Sequence, residues 1–194
     1  METVHKNRID KDLMRRLVDG KASKAEIRSL QKFDPKDEDR FWAYLEVLQE
    51  KTGFAEKILL RISDHLYIVA KNGQRVVKCD CGHEYGDYRV NWKVNALIQV
   101  RRTAAEMRPL YSDDVYLPEE NLVEIRQYYC PGCQALLSNE IVPPGYPSWQ
   151  EFLPDLDAFY RDWLKRPLPD EQPDSFQENT SRELSKWLAE SVSS

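Results

Sequence analysis

Apolar residues fall at helical spacing over the first quarter of the chain and at strand spacing after it. Leu13, Leu17 and Val18 share one face of a first short helix that stops at Gly20. Ser23-Lys24-Ala25-Glu26 reads as a capping box. The Ser23 hydroxyl accepts from the Glu26 N–H while the Glu26 carboxylate reaches back, and Ile27 and Leu30 form the apolar face of the helix it opens. Asp34-Pro35 supplies an N-cap and a first-turn proline for a third helix. Phe41, Tyr44, Leu45 and Leu48 recur along that helix until Gly53 ends it. This stripe is a packing face, aromatic enough to dock on a partner as well.

From residue 57 to 101 the character changes to strand. Leu66-Tyr67-Ile68-Val69 and Arg75-Val76-Val77 flank Asn72-Gly73, the strongest short signal for a β-hairpin. Tyr85 to Lys93 is a dense aromatic and polar stretch, and Leu97-Ile98-Gln99-Val100-Arg101 reads as a further strand. Thr103-Ala104-Ala105-Glu106 is a second capping box, opening a short helix that Pro109 truncates. After an acidic loop over 112–121, Leu122 to Tyr129 returns as a strand. Ala135-Leu136-Leu137 and Glu140-Ile141-Val142 pair back across it.

Pro143-Pro144-Gly145-Tyr146-Pro147 is an extended, stiff link. Beyond it, Pro154 to Leu164 reads as a helix with Leu156, Phe159, Tyr160 and Trp163 on one side, and the tail from Arg166 as extended. Thr180-Ser181-Arg182-Glu183 is a third capping box, for a last helix with Leu184, Trp187 and Leu188 as its face. The aromatics from Trp149 to Trp163 form either a cap on the β core or an arm that wraps a larger protein. The proline-rich flanks favour the arm, with Trp149, Phe159 and Trp163 as anchors. The pattern predicts an α+β chain in three parts: an N-terminal helical region (1–55), a zinc-ribbon-like antiparallel β core (56–142), and a C-terminal extended and helical arm (143–194).

The chemistry sits in the β core. The chain has four cysteines, in two pairs: Cys79-Asp80-Cys81, followed by Gly82 and His83, and Cys130-Pro131-Gly132-Cys133. Each pair ends a strand-like run. A glycine beside each lets the backbone turn tightly and aim amide N–H groups at thiolate sulfur. Two such turns present four sulfurs to one tetrahedral Zn²⁺. His83 in place of Cys79 is a variant ligand set, because CxC departs from the commoner CxxC. A redox dithiol and plain buried thiols are the competing readings; the second, separate pair argues against the dithiol.

Charge and missing motifs narrow the function. The formal charge is −5 and the pI about 5.4, with no long basic block, which disfavours free-standing nucleic-acid binding. Arg75, Lys78, Arg89, Lys93, Arg101 and Arg102 around the ribbon are the whole case for such binding. No apolar run is long enough to span a bilayer and the start is polar, so the expectation is no membrane association, a reducing compartment and the cytoplasm. There is no Gly-rich phosphate loop, GxSxG elbow or HExxH, and His5, His65 and His83 are scattered. No catalytic residue is expected in this chain.

The run Cys79-Asp80-Cys81-Gly82-His83-Glu84-Tyr85, then Asp87 and Asn91-Trp92-Lys93-Val94, resembles the acetone carboxylase gamma subunit family. Asp39-Arg40-Phe41, Glu46 to Glu50, Arg126 to Cys133 and Phe152 to Leu164 agree with it in the same order. One departure is Gly86, where some members carry a further cysteine. The resemblance implies a small, zinc-bearing, non-catalytic subunit of an ATP-dependent, biotin-independent ketone carboxylase, a C–C bond-forming ligase. Acetone is the first substrate, giving acetoacetate, and acetophenone the alternative. It implies Cys79, Cys81, Cys130 and Cys133 as zinc ligands. It also implies larger alpha and beta partners of hydantoinase and oxoprolinase type that carry manganese and ATP.

Overall fold

The structure, a computed structural model, describes residues 10–32, 39–113, 115–171 and 176–192. Helix α1 (Lys11–Val18) is capped by Asp10, whose carboxylate accepts from the Asp12 N–H at 3.1 Å. Helix α2 (Lys24–Lys32) starts on the expected capping box, with Ser23 Oγ accepting from the Glu26 N–H at 3.2 Å and Glu26 accepting from the Ser23 N–H at 2.8 Å. Helix α3 (Arg40–Thr52) ends on Gly53 at φ 65°. The expected start at Asp34-Pro35 lies outside the described residues; α3 itself begins after Asp39, whose side chain makes no cap. Met14, Leu30 and Val47 clamp the three helices together. Leu45 and Leu48 of α3 pack instead on Ile58, Tyr67, Val69 and Val76 of the first sheet.

That sheet is an antiparallel meander of β1 (Lys57–Arg61), β2 (Leu66–Lys71), β3 (Gln74–Cys79) and β4 (Glu84–Asp87). Asn72 at φ 51° and Gly73 at φ 74° make the two-residue turn between β2 and β3, the primed geometry that matches strand twist. A 3₁₀ turn (Trp92–Asn95) leads to the second sheet: β5 (Leu97–Arg101), β6 (Glu124–Tyr129) and β7 (Leu136–Val142), antiparallel in that order. Between β5 and β6 lies helix α4 (Ala104–Met107) on its Thr103–Glu106 capping box, giving way to a 3₁₀ turn where Pro109 falls. The fold is α+β, with two antiparallel sheets and N-terminal helices.

The main core draws on Leu59, Leu66, Ile68 and Val77 of the first sheet and Tyr128 and Leu137 of the second. Leu156, Tyr160 and Leu168 complete it from beyond the proline link. The helical part of the arm is therefore a cap on this chain's own core. Helix α5 (Leu156–Ala158) is fully buried at Leu156, and the Tyr160 hydroxyl donates to Leu59 O at 2.8 Å. Asp157 is clamped by Arg75 at 2.9 and 2.5 Å. Phe159, expected as an outward anchor, stacks edge-on against Phe41 at 5.2 Å. The turn after α5 is a π-turn (Phe159–Trp163), in which the Leu164 N–H reaches back to Phe159 O at 3.1 Å. This wider winding swings Trp163 off the apolar side, leaving it 82% exposed. Helix α6 (Thr180–Val192) forms, but not on the expected capping box: Thr180 Oγ1 accepts from the Asn91 N–H at 2.8 Å, a tertiary bond instead of a local one.

Candidate metal centre

Both cysteine pairs sit where a strand of one sheet runs out, and the core brings those two ends together. In the first knuckle the Cys79 N–H donates to His83 O and the Gly82 N–H to Cys79 O, each at 2.8 Å. Gly82 takes φ 96°, the positive value that this turn requires. In the second, the Gln134 N–H donates to Cys130 O at 2.8 Å and the Cys130 N–H to Ala135 O at 2.9 Å. The left-handed residue here is Gln134 at φ 61°, not Gly132. Gly132 is needed for space: a Cβ there would lie 3.1 Å from His83 Cβ and 3.2 Å from Cys81 Sγ. The sequence alone points to both glycines as turn residues, because the approach of the two knuckles is not a local property.

The four sulfurs lie within 4.8 Å of one another. Cys79 Sγ is 3.9 Å from Cys133 Sγ, and Cys81 Sγ is 3.7 Å from Cys130 Sγ. A tetrahedral ion with Zn–S near 2.3 Å requires sulfurs about 3.8 Å apart; a disulfide would need about 2.05 Å, and all four thiols are free. The group contains no histidine. His83 contributes its main chain to the turn, and its ring stacks edge-on against Tyr85 at 4.9 Å. Cys79 and Cys130 are fully buried while Cys81 and Cys133 face solvent, so an ion held here would be half enclosed.

The surroundings favour negative sulfur at one position and oppose it at others. Burial works against a Cys130 thiolate. The Tyr85 hydroxyl, the amides of Cys133 and Gly132, and the Cys79 thiol more than offset this and bring Cys130 down to about 7. Tyr85 Oη is buried and closes no hydrogen bond of good geometry; burial first and the Cys130 sulfur second hold its own ionisation up. Burial pushes the Cys79 thiol well up, against the opposing Cys81 amide, and Cys81 is raised too. Four thiols this close cannot all ionise without a cation among them. Asp80 accepts from the Cys79 thiol at 3.3 Å and from His65 Nδ1 at 2.7 Å, bracing the first knuckle from outside.

The other polar networks hold segments in place. Lys93, 4% exposed, sits over the Trp92 and Tyr128 rings and pairs with Glu140 and, at 2.5 Å, Glu151. The segment 148–150 is tied down with it: Asn91 Nδ2 donates to Ser148 O at 3.2 Å and Lys93 Nζ to Trp149 O at 3.2 Å, while the Gln150 side chain donates through Nε2 to Tyr88 O at 3.0 Å. Trp149 and Phe152 nevertheless stay 60% and 53% exposed. Nothing in the sequence marked this strap as fastened at the backbone and open at the side chains. The six basic residues noted around the ribbon are engaged internally: Arg75 by Asp157, Lys78 by Glu56, Arg89 by Asp87, Lys93 by Glu140, Arg102 by Glu124, and Arg101 by Gln127 Oε1 and Glu106 O. The described residues include no helix long and apolar enough to cross a membrane.

Two antiparallel sheets tied at their strand ends by four convergent thiols define a small α+β protein able to hold a metal ion. The family profile described as acetone carboxylase gamma subunit matches residues 52–164. The acetone carboxylase gamma subunit of Xanthobacter autotrophicus is 36% identical over 156 residues, 79% of this chain and 92% of that protein. The acetophenone carboxylase beta subunit of Aromatoleum aromaticum is 32% identical over 80 residues, 41% of this chain and 62% of that protein. The chain belongs to the acetone carboxylase gamma subunit family.

Proposed function

We propose that this chain is a non-catalytic, zinc-stabilised subunit of an ATP-dependent, biotin-independent ketone carboxylase, joining acetone and bicarbonate into acetoacetate in the cytoplasm. The observation that carries the zinc reading is the thiol tetrahedron, with sulfur separations of 3.7 and 3.9 Å. Cys79, Cys81, Cys130 and Cys133 are the ligands, and the ion fastens β3 to β6. Metal binding there offsets the closure entropy of the long chain segment between the two pairs. ATP and manganese belong to larger alpha and beta partners of hydantoinase and oxoprolinase type. The 32% identity to an acetophenone carboxylase subunit keeps that ketone as the alternative substrate. The internal pairing of the basic residues weighs against a nucleic-acid-binding module.

Trp149, Phe152 and Trp163 supply the contact with those partners, since aromatic side chains held outward by a fastened backbone have little entropy left to lose on docking. The test is co-purification from the native host with subunit identification and metal analysis. Large subunits and one zinc per chain are expected; a chain that purifies alone, folded and metal-free, ends the proposal. Trp149→Ala should weaken capture of the large subunits by roughly 2 kcal/mol or more without changing the melting temperature. Unchanged capture by the Trp149→Ala, Trp163→Ala double variant would move the interface elsewhere.

A further inference from the structure

Two open sheets have four edges, and three of them are guarded. At β1 the ladder is broken by a bulge between Ile58 and Leu60. Outward main-chain groups there are also claimed: the Ile58 N–H by Gln49 Oε1 at 3.0 Å and Leu59 O by the Tyr160 hydroxyl at 2.8 Å. Strand β4 is four residues long, with a bulge in its ladder and Tyr85 O capped by Asn95 Nδ2 at 3.1 Å. Strand β7 carries a bulge at its start and the ion-paired Glu140 in its middle. These are the ordinary devices against edge-to-edge pairing.

Strand β5 has neither a bulge nor, over Leu97–Val100, a main-chain group claimed from outside β6. It pairs with β6 over five residues without a break in register. It contains no proline, glycine or lysine. Its one charge, Arg101, is turned back to Gln127 Oε1 at 3.3 Å and Glu106 O at 2.8 Å. Among the described residues, nothing outside β6 hydrogen-bonds to the main chain of Leu97–Val100. Both faces are open and each carries an exposed apolar residue: Leu97 is 51% and Ile98 53% exposed, and they point to opposite sides. A strand uncovered on its edge and on both faces has the character of an interior strand whose neighbour comes from elsewhere.

We propose that the neighbour is β5 of a second copy of this chain, paired antiparallel about a two-fold axis at Gln99. The two three-stranded sheets then join into one continuous sheet. The sequence of β5 is self-complementary in that register. Ile98 faces the partner's Val100, two β-branched residues on one face; Leu97 faces the partner's Arg101, apolar against a long aliphatic stem; Gln99 faces the partner's Gln99, two amides able to pair. No like charges are opposed. An isologous contact of this kind closes on itself and stops at the dimer. It depends neither on zinc nor on the identity of any larger subunit.

The test is a charge swap at the axis, in the full-length chain. Gln99 is exposed, so Gln99→Lys and Gln99→Glu leave the monomer fold intact, which circular dichroism and the melting temperature check. The wild type should show a concentration-dependent dimer by sedimentation. Each single variant puts like charges opposite each other and should weaken the dimer about fivefold or more. An equimolar mixture should restore it, because lysine then faces glutamate. A wild type that stays monomeric at all accessible concentrations overturns the proposal. So does a dimer indifferent to both variants. Variants that lose capture by a larger subunit, with no rescue on mixing, would assign the edge to a foreign strand instead.

Discussion

Gly82 and Gly132 stand beside equivalent cysteine pairs for different reasons, and substitution separates them. Gly82 has φ 96° and open space where a Cβ would go. Gly132 has no such backbone constraint, but its Cβ would sit 3.1 Å from His83 Cβ and 3.2 Å from Cys81 Sγ. Ordinary contacts between such atoms lie near about 3.5–4.0 Å, so the two knuckles must separate by a few tenths of an ångström. The neighbours are the Cys81 sulfur and a Cβ fixed to the turn, so neither can swing away as the end of a long side chain would. Overpacking of this kind costs about 1–3 kcal/mol, and here it falls on the geometry of the sulfurs. Gly132→Ala should therefore weaken zinc binding about fivefold to about 150-fold, measured by competition with a chromophoric chelator at fixed pH. Gly132→Asn should be worse, since the added atoms enter the same gap. At Gly82 the order reverses: Gly82→Ala costs about 1–2 kcal/mol of backbone strain, and Gly82→Asn is milder because Asn tolerates positive φ. If Gly132→Ala bound zinc as the wild type does, or Gly132→Asn were the gentler change, the close approach of the knuckles would be refuted.

Cys130→Ser should lose the ion and loosen residues 75–135, read by elemental analysis and hydrogen exchange; a folded, metal-free wild type would contradict this. Tyr160→Phe leaves the buried Leu59 carbonyl without its donor and should cost about 1–2 kcal/mol in denaturant melts; no change would mean that the arm helix is not seated on β1. Glu124 is held below its ordinary 4.5 by Arg102, against the opposing effect of burial and with help from Arg126. A depressed carboxylate stabilises the fold above its unfolded pKa, and that contribution disappears as the pH falls through the folded value. The stability gap between wild type and Glu124→Gln should thus be widest near neutrality and narrow below about pH 4.5; a gap constant with pH would remove Glu124 from the acid limb.

Local signals were legible wherever the physics is local. Two of three capping boxes close as read, at Ser23–Glu26 and Thr103–Glu106, because a cap needs only four consecutive residues. The third, at Thr180, is overridden by a hydrogen bond from Asn91, 89 positions away. The Asn72-Gly73 hairpin forms because φ > 0 at both positions suits those residues. Strands β1 and β4 were not separately distinguished: β1 has three consecutive apolar residues and β4 is four residues long, too little for a period to register.

By itself, the sequence determined the residue types at the site, the two turns that carry them, the helices and the strands other than β1 and β4, and the family. Only the tertiary structure decided which sulfurs face each other, that His83 stands outside the group, and that Gly132 serves space while Gln134 takes the left-handed turn. It also decided that Leu156 and Tyr160 belong to this chain's core while Trp149 and Trp163 do not. The reason is range: caps, turns and periodicity are set by neighbours along the chain. Burial and ligand geometry depend on which distant segments meet, and an aromatic residue has the same apolar surface whether its own sheet or another molecule covers it.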